Sequence, residues 1–189
     1  MLQDPKWGKV TLGARMQGKL LPCTGKVVID MQAREWCKLP YHGHPRGCPN
    51  FGRRAICPPQ APLVTDFLNL EKDTWLMVAA YELRAHMDRL ASLYPHWSDL
   101  QLRNPLYWQG SVNSYLRMLC ENFTEKHSNV IFTLIPEAMG VHVFDTALRF
   151  GLPLEKQPKK IVFKVALLGY PGAAVLNTKA KGGQTCLTT

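Results

Sequence analysis

At 189 residues and 46% hydrophobic side chains, the chain has the size of one ordinary domain and can bury most of the apolar surface that its unfolded form would expose. Twenty-three basic against 14 acidic side chains give a formal net charge of +9, which favours anionic partners such as RNA or an anionic small-molecule substrate. No apolar run approaches the about 20 residues that cross a bilayer, and the start MLQDPKWGKV has no apolar leader core, so a cytoplasmic protein with no membrane partner is expected.

Residues 1–25 carry glycine, lysine and proline without a clear period and are expected to form an irregular arm with one short strand, in which Cys23 has no ligand role. The β-branched run Lys26–Met31 predicts a strand that delivers the chain into residues 37–60. Beyond that segment, Pro62 suits a helix start, and Leu63, Phe67 and Leu70 recur at helical spacing. Thr74–Leu83 is a nearly continuous apolar run of strand length, as a strand buried on both faces requires.

Met87, Leu90, Ala91 and Tyr94 mark one face of a helix ending before Pro95, and a loop with at most a short helix is expected from Pro95 to Tyr107, since Pro105 breaks any longer one. From Trp108 to about His127, the stripe Val112, Tyr115, Leu116, Leu119 and Phe123 predicts the longest helix, with Cys120 at its edge. A strand over Asn129–Ile135, a helix over Glu137–Phe150 closed by Gly151, and a strand over Lys160–Leu168 follow. The tail 177–189 is basic, contains Cys186, and is expected to be flexible. Interleaved strands and helices imply a single α/β or α+β domain over 1–189, built on a mixed sheet flanked by helices.

The chemistry concentrates in residues 37–60, which hold Cys37, Cys48 and Cys57 with ten and then eight residues between them. Glycine and proline rule out a regular element there, so the segment needs another source of order. A metal centre bound by the three thiolates supplies one. In a reducing compartment such cysteines point to metal or catalysis before disulfides. An iron-sulfur cluster of the 4Fe–4S type is favoured: Gly43, Gly47 and Gly52 let amides approach sulfide, and Arg46, Arg53 and Arg54 offset cluster charge. Three thiolates leave one iron open to a substrate, for sulfur removal or reductive chemistry on a small or nucleotide-like molecule. Cys120, His42 or His44 is an alternative fourth ligand, and zinc is the alternative metal, as a structural staple in an RNA-binding or multiprotein complex. Glu137, directly after Pro136, is the candidate catalytic acid or base, with a simple cap as its other role.

Two segments together resemble the family of predicted metal-binding proteins known as domain of unknown function 2284. One is Cys48-Pro-Asn-Phe-Gly-Arg-Arg-Ala-Ile-Cys57-Pro-Pro, with Cys37 upstream matching the leading cysteine; the other is Pro136-Glu-Ala-Met-Gly-Val-His-Val-Phe144, followed by Thr146-Ala147 and Gly151. The family pattern has aspartate where His142 stands here, and a further cysteine cluster where this chain offers only Cys120. The resemblance implies a cysteine-bound centre, iron-sulfur or another metal, and leaves the reaction open.

Overall fold

The computed structural model describes residues 16–40 and 44–180, with side chains placed as far as residue 176. The first strand, β1 (Met16–Pro22), is the one expected in the amino-terminal arm. Two short helical turns follow, α1 (Gln32–Glu35) and a 3-10 turn over Trp36–Lys38, and then, after an irregular stretch, α2 (Val64–Phe67). Next come β2 (Thr74–Glu82), α3 (Leu83–Leu93), α4 (Asp99–Leu102), a 3-10 turn over Pro105–Tyr107 and the 18-residue helix α5 (Gln109–Lys126). The chain closes with β3 (Ile131–Thr133), a 3-10 turn over Pro136–Met139, α6 (Val143–Leu148), β4 (Ile161–Gly169) and α7 (Ala173–Ala180).

The strands form one sheet in the order β1-β2-β4-β3. Every pairing is antiparallel, so of the two expected classes the domain is α+β, with an antiparallel sheet in place of a mixed one. β2 and β4 pair along their whole lengths, from Thr74 opposite Gly169 to Glu82 opposite Ile161. Their alternate residues build two cores. Leu76, Val78, Val165 and Leu167 face a cluster with Val64, Phe67, Met139, Val141 and Val143. Met77, Ala79, Tyr81, Val162, Ala166 and Leu168 face the stripe Val112, Leu116 and Cys120 of α5. Burial on both faces is why these two strands read as continuous apolar runs. Gly18 of β1 lets α5 come close, since a Cβ there would lie 2.5 Å from Leu119 Cδ1.

Four expectations are corrected. Lys26–Met31 is not a strand: only Ile29 bridges, to Val141, and the amide of Val28 bonds Thr146 Oγ1 at 3.0 Å instead of a ladder partner. Pro62 stays outside the helix, which begins after Leu63 and lasts one turn. The single helix over 137–150 is two elements, because Gly140 takes φ +88°, beyond the reach of most side chains. The amides of Gly140 and Val141 bond the carbonyls of Glu137 and Pro136 (3.1 and 3.0 Å), which closes the turn in a Schellman arrangement. His142 then caps α6 by accepting from the Asp145 amide at Nδ1. Finally, residues 177–180 of the expected tail continue α7, while 181–189 and Cys186 lie outside the described residues.

Candidate metal centre

The backbone brings the cysteine segment together from both ends. The Cys48 amide donates to the Cys37 carbonyl at 2.7 Å, which pins the start of the second cysteine motif onto the first. Gly47 makes this approach feasible, with φ +81° and no Cβ; an added Cβ would lie 2.5 Å from the Cys37 carbonyl oxygen. Further along, the Gly52 amide donates to the Pro58 carbonyl at 2.8 Å, and the Gln60 side-chain amide returns to the Gly52 carbonyl at 3.0 Å. Lys38 Nζ lies 5.1 Å from the Phe51 ring centroid, a cation–π contact from the first motif to the second. The segment thus has some order of its own, more than its composition suggested.

Arg34 is a positioning residue that sequence reasoning missed. Its Nη2 donates to the carbonyls of Pro59 (2.8 Å) and Ala61 (2.9 Å), fastening the Cys57 end of the segment to α1, while its buried Nη1 has no partner among the described residues. The only signal was an arginine three residues before Cys37, and nothing in the sequence shows which carbonyls it meets.

Cys37 and Cys57 both feel the neighbouring Cys48. Burial pushes the Cys37 thiol up, and Cys48, Glu137, Cys57 and Glu35 add to that by negative charge. Cys57 is also pushed up, by burial and by Cys48, and Arg54 pulls it back. Charge effects of this kind place the thiols within electrostatic reach of one another, and a cation among them would relieve them. All three are free and partly exposed. As they stand, no group of three His, Cys, Asp or Glu side chains among the described residues is set to hold a metal ion. In donor type alone, three soft thiols suit zinc or iron-sulfur coordination.

The other expected site residues separate. Cys120 is fully buried in the core under α5, across the sheet from Trp36, which packs on the opposite core immediately before Cys37. It therefore does not complete the loop's ligand set. Cys23 is likewise core, bonding Thr74 Oγ1 at 3.5 Å. His44 is exposed, and its carbonyl accepts from the Gly47 amide, whereas His42 lies outside the described residues. Arg46, Arg53 and Arg54 are all exposed, and of these Arg54 acts on a thiol.

Glu137 sits in the 3-10 turn beside Cys37 and lines a cavity of about 190 Å³ with Trp36, Phe144 and Lys164. Glu137 is half-buried in the wall of this cavity. Desolvation pushes its pKa up, opposed by its own backbone amide and by Lys164. Val28, Asp30 and the Gly140–His142 turn hold this element against the chain leading to Cys37 (Asp30 amide to Gly140 carbonyl 2.9 Å, His142 amide to Val28 carbonyl 2.8 Å). The two motifs of the family resemblance thus meet in space.

No described helix is long and apolar enough to cross a membrane. No family model, no curated protein and no solved structure matches the chain.

Proposed function

We propose that this is a cysteine-ligated metal protein of the kind that its two motifs resemble, holding an iron-sulfur centre on Cys37, Cys48 and Cys57. The observation that carries the reading is that Cys48 and Cys57 both act on the Cys37 thiol within a segment pinned by the Cys48–Cys37 hydrogen bond. Free cysteines fit a reducing, cytoplasmic setting. When bound, the centre supplies electrons or an open coordination position. The chain's own residues do the rest: Arg54 supplies positive charge beside Cys57, Arg34 fixes the segment to α1, and Glu137 holds or releases a proton at its carboxyl beside Cys37. Sulfur removal or a reduction on a small substrate is the enzyme reading. The same reading extends to a nucleotide-like substrate at the open position.

Metal and inorganic sulfide analysis of anaerobically purified protein tests the proposal. Iron and sulfide in near-equal amounts, with a brown colour, support it; zinc without sulfide replaces the cluster by a structural staple, and no metal removes the reading. The net charge of +9 and the exposed Arg46, Arg53 and Arg54 favour a second element, an RNA partner at the same surface. Salt-insensitive RNA retention, or none, rejects it.

A further inference from the structure

The cavity beside Glu137 lies where β4 loses its neighbour. β3 pairs only with Leu167–Gly169, and the cavity runs along the preceding Ile161–Val165. Its walls are mainly apolar and aromatic, with Trp36, Phe144 and Phe163 among them. Charge enters at three points: Glu137, Glu155 and Lys164. Glu137 is the unusual one. Its side chain is half-buried in the cavity wall, lies near Lys164, and takes part in no ion pair among the described residues. A half-buried carboxyl without an ion-pair partner gains a charge-assisted hydrogen bond from a ligand cation, which also favours its ionised form.

We propose that this cavity binds a small primary amine with an aliphatic body, its ammonium on the Glu137 carboxylate and its chain against Trp36 and Phe144. Size supports the class: 190 Å³ equals about six water volumes, the bulk of a short alkyl chain. Aromatic walls favour an ammonium through their negative faces. Two acidic side chains stand against one lysine in the lining, in contrast to the +9 chain around it, so a cationic guest is favoured there over an anionic one. The inference stands on the cavity and does not depend on the metal.

Calorimetric titration of the full chain with n-butylammonium, n-butyrate and n-butanol, three guests of one shape and different charge, tests it. The amine is expected to bind and the other two not. Glu137→Gln should weaken the amine about tenfold, by loss of a charge-assisted bond. Lys164→Gln, on a partly exposed strand position, should tighten it severalfold by removing the competing cation. That second variant keeps the test decisive if Glu137→Gln fails to fold. Metal content is measured on each sample, so loss of metal and loss of amine binding are scored apart. Preference for butyrate, no binding of the amine, or weaker amine binding in Lys164→Gln overturns the proposal.

Discussion

Gly47 presses against the carbonyl of Cys37 so closely that no other residue fits: its φ is +81°, and a Cβ would stand 2.5 Å from that oxygen. Gly52 has a similar φ of +71° but open space around it. The pair separates backbone strain from steric clash. Gly52→Ala should cost about 1 kcal/mol, the left-handed penalty alone. Gly47→Ala should cost about 3 kcal/mol, because strain and backbone overlap add, and should reduce metal loading by breaking the Cys48–Cys37 hydrogen bond. Equal urea midpoints and equal metal content in the two variants would refute this.

Arg34 offers the second test. Replacing it with Met removes two hydrogen bonds from a charged donor, each worth about 1.5–3 kcal/mol at most, and frees the Pro59–Ala61 end. The expected signature is faster amide exchange at Cys57 and Ala61, whose amides bond within the segment, with the β2 and β4 amides unchanged. Lys at the same position lacks the fork that reaches two carbonyls and should rescue only in part. Unchanged exchange in Arg34→Met would show that the segment holds without it.

The three loop cysteines and the two core cysteines should part company chemically. In a Cys186→Ser background, a small alkylating agent at pH 8 should label Cys37, Cys48 and Cys57 in metal-free native protein. Cys23 and Cys120 should react only after unfolding, since both are fully buried and their thiols are pushed up to about 11 and about 12. Serine at any loop position should abolish the centre, whereas Cys120→Ser should leave it bound. Loss of the centre in Cys120→Ser would contradict the placement of that residue across the sheet.

Periodicity made β2, β4 and α5 legible, because Thr74–Glu82 and Ile161–Gly169 are buried on both faces and the Val112–Phe123 stripe covers one of them. It failed at Lys26–Met31, where the β-branched residues pack beside a turn and the backbone bonds go to Thr146, Gly140 and His142. It also failed at Gly140, a single left-handed residue that divides one helical pattern into two elements. The cysteine trio could be read from composition. Arg34 and the cavity of Glu137 could not, because each depends on segments 25 or more residues apart meeting in the fold.

Cys120 also carries a pH dependence whose sign is fixed. Burial is the main cause of its high pKa, with Glu121 adding and Arg117 opposing, and it moves the thiol from 9.0 to about 12. Below pH 9 the thiol is protonated both folded and unfolded, so it contributes no slope. Above that, the unfolded chain releases the proton and the folded chain keeps it, and stability falls by about 1.4 kcal/mol per pH unit until the folded pKa is reached. Other groups titrate in the same range, so the measurement is a difference between wild type and Cys120→Ala. At pH 7 the variant should be less stable by about 1–2 kcal/mol, because the smaller side chain leaves a void in a close-packed site. As pH rises from 9 towards 11, that deficit should shrink and then reverse, because alanine has no proton to lose. Parallel urea-midpoint curves across this window would mean that the thiol is hydrated in the folded protein and that its burial under α5 is wrong.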